Sequence, residues 1–486
     1  MTVYRLAAAL VAWMPVPVWA HAFDERFDLP APLSWFIAGA AATVALSFVV
    51  AALFVRLEPV AGAPRRTGRE RTIIRSAAIP ALRCTGRAVS LPMLVLVVVA
   101  GLYGTTDPLM NIAPSMAWVV CWVGLSLVVA CVGNLWPAVD PWRLLFEGLD
   151  RAARLGGLQG GIALGVKYPA GLGQWPAVIL LLGLGWFELV YPQAAIPHRI
   201  AWALLGWSAF TLGGMVVFGR EVWQRQVDVF AIYFDTLGRF APLQGGRDGR
   251  SIVLRAPGSG LIEMSASSNA TIAFVIAMLS IVLFDGLLVG DFWQVAQHWL
   301  AARFPGLRDT HGYLIGGIGL LGVWFAFLSA YLLTCLLTTP LAPGHGALEI
   351  ARRFALTLVP IAVGYNIAHN FPTLVIQLQL LVPLASDPLG LHWNLFGTVH
   401  DRPDIGLIDA EISWLIAIVA IVGGHVVSIW LAHLVALRTF PKRTRAAAAA
   451  APLALLMVLY TSVSLSVIAE PLVVFTPPGE ERPEGH

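Results

Sequence analysis

The chain has 486 residues, of which 58% are hydrophobic and only 12% charged, and its formal net charge is +3. Soluble domains carry about 25% charged residues, so this composition excludes a soluble globular enzyme and predicts an all-α, polytopic helical bundle in a lipid bilayer. So small a net charge also gives no basis for nucleic-acid binding.

Residues 1–20 read as a cleavable secretory signal peptide. Arg5 supplies the positive start, Leu6 to Met14 the short apolar stretch, and Val18-Trp19-Ala20 the small residues at −3 and −1. Cleavage after Ala20 would leave His21 at the mature N-terminus, heading an extracytoplasmic arm over 21–32. Ten apolar runs follow, at about 33–55, 90–104, 114–134, 174–191, 200–219, 268–289, 312–338, 354–383, 412–437 and 448–472, each near the ~20 residues that cross a bilayer. They form a transmembrane domain over 33–474, with a tail at 475–486.

The arginines orient these runs. With His21 outside, 24 of the 31 Lys and Arg residues fall in inner loops, six fall outside, and Arg5 belongs to the signal. That bias is the positive-inside signature, and it predicts ten spans in an inner (plasma) membrane with both termini extracytoplasmic. The cytoplasmic loops are then 56–89, 135–173 and 220–267. None of Cys84, Cys121, Cys131 and Cys335 lies in an outer loop or in CxxC spacing, so no structural disulfide is expected.

Two inner loops are too long to be plain turns. Asn134-Leu-Trp-Pro-Ala-Val-Asp-Pro-Trp-Arg143 predicts an interfacial turn followed by an amphipathic helix. Phe230 to Pro242 is aromatic and reads as a second interface-lying stretch. Ser251-Ile-Val-Leu-Arg255 predicts a small hairpin; Gly245 to Gly249 lacks the Lys and the helix of a P-loop. The outer loops are acidic and carry His298, His311, His392 and His400. The chain has no convincing internal repeat, which argues against an inverted-repeat transporter.

Candidate chemistry lies within the spans. Span eight carries Tyr365, Asn366, His369 and Asn370 in its middle, and span nine carries His425 and His433. A histidine at bilayer depth needs a partner, a cavity or a metal. At about 1.5 Å per residue, His369 and His425 both fall near the midplane, and His433 lies roughly 12 Å deeper. His369 and His425 are therefore candidates for one shared ligand, with His433 a second station. Tyr365 is one turn from His369 on the same face. Glu188 in span four and Asp285 in span six are carboxylates near the outer ends of their spans, where such groups face a cavity or a cation. The plainer alternatives are histidines bonded to neighbouring backbone or tyrosine, and acids that reach the interface. His21, through its α-amine and imidazole, would offer two ligands to one copper ion if an outer-loop histidine joined it.

His21-Ala-Phe-Asp-Glu-Arg-Phe-Asp-Leu-Pro-Ala-Pro-Leu-Ser-Trp35, Asn134 to Arg143, Pro360-Ile-Ala-Val-Gly-Tyr-Asn-Ile-Ala-His369, and Gly424-His425 with Ala432-His433 resemble a family of bacterial polytopic membrane proteins often labelled fenitrothion hydrolase. The resemblance spans most of the chain and implies hydrolysis of an organophosphate triester by a membrane-bound enzyme. It carries over no catalytic residues.

The leading expectation is a metal-assisted hydrolase. A divalent ion, zinc or copper, held by His369 or His425 would polarise a phosphoryl oxygen and activate water, with Glu188, Asp285 and Tyr365 as catalytic groups. An apolar triester would enter from the bilayer. The rivals are a metal-handling or transport protein that uses the intramembrane histidines as ion or proton stations, and a non-catalytic assembly factor. The partners left open are lipid, an apolar small molecule or metal ion, and a second membrane subunit.

Overall fold

The structure, a computed structural model, describes residues 27–55, 71–75, 78–246, 248, 250–262, 268–310, 312–440 and 442–474. Residues 1–20, expected to be a signal peptide, together with His21, His311 and the tail from 475, lie outside the described residues.

Among the described residues, eight helices are long and apolar enough to cross a membrane. They are α1 (Leu33–Phe54), α2 (Ala78–Tyr103, apolar from Thr85), α3 (Ile112–Cys131), α6 (Pro197–Phe218), α9 (Asn269–Val289), α11 (Tyr313–Thr338), α15 (Ala410–Thr439) and α16 (Arg443–Leu472). Between them lie α4 (Pro141–Leu155), α5 (Trp175–Leu189), α7 (Arg220–Gln226), α8 (Val229–Gly238), α10 (Asp291–Arg303), α12 (Ala347–Phe354), α13 (Val359–Leu378) and α14 (Leu381–Ser386).

The apolar runs at 174–191 and 354–383 become shorter helices than the sequence predicts. α5 has 15 residues, which is about 22 Å at 1.5 Å per residue, against a hydrocarbon core of about 30 Å. The second run breaks into α12, a 3₁₀ turn at Ala355–Leu358, and α13. α12 is amphipathic, with Arg352 and Arg353 in its last turn.

Side-chain caps fix several helix starts. Asp140, Ser268 and Asp409 accept from the backbone N–H groups of Arg143, Thr271 and Ile412, and so begin α4, α9 and α15. The middle of α3, Ser115–Gly124, is wound as a π-helix directly after Pro114.

α9 is buried almost all round, as a helix apolar on every face should be. It packs on α5, α11 and α13. α13 in turn lies along α15 at very short range. A Cβ added at Gly364 would sit 2.4 Å from the Ala420 carbonyl oxygen, and one at Gly424 would sit 2.6 Å from that of Pro360. Only glycine lets the two backbones meet so closely.

The long connecting segments differ from the sequence reading in two places. The 230–242 stretch does not present an exposed aromatic face: α8 buries Val229, Ile232, Tyr233, Phe234 and Leu237 in the main core. The cause is aromatic packing, with Trp136 stacked on Phe234 at 5.0 Å and Trp142 on Phe230 at 5.9 Å between ring centroids. The expected hairpin forms from β3 (Leu243–Gly245) and β4 (Ser251–Leu254), but β2 (Arg71–Arg75) adds on the other edge of β4 as a third strand. β1 (Phe27–Asp28) pairs in parallel with β5 (Val473–Val474), which ties the chain before α1 to the end of α16.

Candidate functional site

Four helices bring polar side chains together near the ends of α5 and α9. Asp285 lies one turn before the end of α9, and His369 lies midway along α13. Nε2 of His369 is 2.8 Å from Oδ2 of Asp285, and the side chains are 11% and 25% exposed. A carboxylate in that position favours the tautomer with hydrogen on Nε2, which leaves the Nδ1 lone pair free to take a proton.

Glu188, the penultimate residue of α5, is the second carboxylate. The indole N–H of Trp122 donates to its Oε2 at 2.8 Å. Trp122 stacks on Tyr233 of α8 at 4.9 Å, and the Ser126 hydroxyl donates to the Trp122 carbonyl one turn along α3. The Glu188 and Asp285 carboxylates are close enough to act on one another electrostatically. Beside them is a void of about 10 Å³ lined by Ser126, Tyr233, Met278, Val282 and Asn366, about the size that admits one water molecule. The buried Oδ1 of Asn366 has no hydrogen-bond partner among the described residues.

Tyr365 is buried, and its ring centroid lies 6.2 Å from that of His369. Its hydroxyl reaches the backbone of α9: a Cβ at Gly286 would sit 2.5 Å from Oη. Gly286, next to Asp285, is thus the gap that receives the tyrosine.

The other two intramembrane histidines belong elsewhere. Nδ1 of His425 is 2.8 Å from the Ile421 carbonyl, its ring lies 5.6 Å from Tyr460 of α16, and its buried Nε2 has no hydrogen-bond partner among the described residues. Since a carbonyl can only accept, Nδ1 carries the proton there. His433 meets Phe48 of α1 edge to face at 6.5 Å, and neither of its ring nitrogens has a hydrogen-bond partner among the described residues. Tyr460, beside His425, lies against the Ser464 hydroxyl one turn along α16 and near the buried Tyr365 hydroxyl, so α13, α15 and α16 share a second polar patch.

The structure therefore joins His369 to Asp285, with Glu188 and Tyr365 nearby, and it faces His425 toward Tyr460. Among the described residues no group of three or more His, Cys, Asp or Glu side chains could hold a metal ion. One imidazole and one carboxylate fall short of the three or four protein ligands of a zinc or copper centre. Of the histidines expected in outer loops, His298 bonds the carbonyl of Gln294 in its own helix, and the backbone N–H of His392 donates to Asp387.

Sequence reasoning missed Trp122, Ser126 and Tyr233. Trp122 and Ser126 stand one turn apart in an apolar span, a signal for a shared polar face. Tyr233 sits in a stretch whose burial no periodicity reveals. In comparisons with protein-family models, curated proteins and solved structures, the chain matches none.

Proposed function

We propose that the chain is a membrane-embedded hydrolase in which His369, oriented by Asp285, serves as general base toward an apolar phosphotriester-like substrate. The 2.8 Å contact between Nε2 and Oδ2 is the observation that carries this reading. In it, Nδ1 of His369 takes a proton from water as the water oxygen bonds to phosphorus. Asp285 stabilises the imidazolium that forms, and the ester oxygen leaves as an alcohol once reprotonated, giving a diester. Tyr365, whose Oη has no hydrogen-bond partner among the described residues, would donate to the phosphoryl oxygen. Glu188, fixed by Trp122, would add negative potential near the imidazolium. The phosphotriester class rests on the family resemblance and on the site's place among apolar helices. No step passes through a metal, because the donors present are too few.

The test is hydrolysis of a 4-nitrophenyl dialkyl phosphate by protein in lipid nanodiscs. Wild type should exceed empty nanodiscs, and His369→Ala and Asp285→Asn should each lose about 10²–10⁴-fold, the usual size of a general-base contribution. Equal rates for wild type and both variants would sink the proposal. Metal analysis of the same preparation checks the divalent-ion reading.

A second reading, an intramembrane proton station in a transporter, is favoured by the patch of Tyr365, His425, Tyr460 and Ser464. A hydrolytic site has no need of buried polar groups beyond it. Proton uptake by reconstituted vesicles, lost in His425→Phe with hydrolysis retained, would select this reading.

We also infer ten crossings, with α5 and α13 joining the eight longer helices, both termini extracytoplasmic, and a leader removed before His21. The 24-to-6 distribution of basic residues supports this orientation. In a cysteine-free background, a cysteine at position 70 labelled from outside intact cells would overturn it.

A further inference from the structure

We propose that Arg87, Arg143 and Arg220 form a binding site for the phosphate of an anionic lipid headgroup at one edge of the membrane. Their placement comes first. Arg87 is two residues into the apolar part of α2, and Arg220 is two residues past the end of α6. The two helices run antiparallel, with Gly101 of α2 against the carbonyl of Pro197 at their far ends, so both arginines stand at the same end of the pair. Arg143 joins them from the first turn of α4.

All three guanidinium groups converge on one carboxylate, Glu147. Nε of Arg143 is 2.8 Å from it and Nη1 of Arg87 is 3.4 Å away, while Nη1 of Arg220 also bonds it. Burial alone would raise the Glu147 carboxyl, but Arg143, Arg220 and Arg87 outweigh it and hold the group below its usual value. Asp140, a second acid that acts electrostatically on Arg143 and Arg87, is buried and already accepts from the Arg143 backbone and from Gln224 at 2.7 Å. Glu221 touches Arg220 only at 3.8 Å from an exposed position, where solvent screens it. Three cations thus share one directly bonded carboxylate, with Asp140 a second anion beside them.

The guanidinium groups have donors to spare. Arg87 uses Nε on the Pro137 carbonyl and Nη1 on Glu147; Arg143 uses Nε, and Arg220 uses Nη1. Among the described residues, Nη2 of Arg87, both Nη atoms of Arg143 and Nε of Arg220 have no hydrogen-bond acceptor. Planar N–H groups left over beside excess positive charge are what a phosphate oxygen needs. The surroundings favour a lipid over a free ion. Val89, Leu149 and Val222 are exposed on the same three helices, on faces turned away from the cluster, so acyl chains would meet these helices beside the headgroup. Basic pockets between helices at the membrane edge take anionic headgroups in this way.

The test is native mass spectrometry of the full chain released from micelles after exchange into equal amounts of phosphatidylglycerol and phosphatidylcholine. Wild type should retain phosphatidylglycerol in preference. Each arginine near a membrane surface contributes about a five-fold preference, so Arg143→Gln with Arg220→Gln should lower it about 25-fold. If that pair fails to fold, Arg220→Lys keeps the charge but loses the fork and should still reduce retention several-fold. Equal retention of the two lipids by wild type, or an undiminished preference in the variants, overturns the site. Millimolar inorganic phosphate that displaces the bound species in full would overturn the lipid assignment and leave a soluble-anion site instead.

Discussion

Gly424→Ala should destabilise the bundle, whereas Gly423→Ala, one residue earlier on the same helix, should not. A methyl at Gly424 would lie 2.6 Å from the Pro360 carbonyl oxygen, and nothing lies within 4 Å of one at Gly423. Ordinary contact begins near 3.4 Å, so α13 and α15 must part by about an ångström or bend to admit the methyl. Overpacking of that kind costs about 1–3 kcal/mol. At Gly423 the only change is the higher helix propensity of alanine, a gain of about 0.5–1 kcal/mol in water. The measurement is the unfolding midpoint of both variants in one detergent, with the Asp285–His369 pair read through hydrolysis in nanodiscs. Since α13 carries His369, Gly424→Ala should also lower the rate. Matching midpoints for the two variants would refute the close-approach argument.

Three further outcomes follow from particular contacts. Burial pushes the Asp140 carboxyl up to about 6, against Arg143 and Arg87, which pull it down. Its folded value is raised, so its stabilisation is full below the unfolded value near 3.8 and is lost as pH rises through about 6. The two-unit difference is about 3 kcal/mol, so Asp140→Asn, which can still cap α4, should flatten the fall in melting temperature between about pH 4 and 6.5. Trp122→Phe removes the N–H that holds Glu188 and leaves a buried acceptor unpaired; a loss of about 1–3 kcal/mol in the unfolding midpoint is expected. A double-mutant cycle over Asp285→Asn and His369→Ala should show a coupling of about 0.5–3 kcal/mol, as for residues in direct contact. An additive result would show that the pair does not act as a unit.

Much of the fold was legible because the bilayer forces a crude code on the chain: long apolar runs must become helices. The runs near 33–55, 268–289 and 412–437 form α1, α9 and α15 to within a few residues. Where the code failed, packing decided. Arg87 lies inside α2 because its charge is held by Glu147 and the Pro137 carbonyl, so the helix extends back through residues that hydropathy assigns to a loop. α8 is buried because tryptophans far off in sequence, Trp136, Trp142 and Trp207, surround it. No local window contains that information.

The site shows the same limit more sharply, and it shows what would have lifted it. Depth placed His369 and His425 at a common level and so suggested a common ligand. Depth, though, says nothing of rotation about the helix axis. Gly364 marks the side of α13 that touches α15, since a Cβ there would meet Ala420. His369 is five residues further on, and at about 100° per residue it is turned roughly 140° away from that contact. It must therefore leave α15 and face another neighbour, and the neighbour is α9 with Asp285. The two glycines were in the sequence all along. As small residues at a crossing of membrane helices they indicate contact, and combined with helical rotation they separate His369 from His425 before any distance is measured. A polar residue's partner within a bundle is thus set by the glycines that fix which faces touch, and only secondarily by how deep the residue lies.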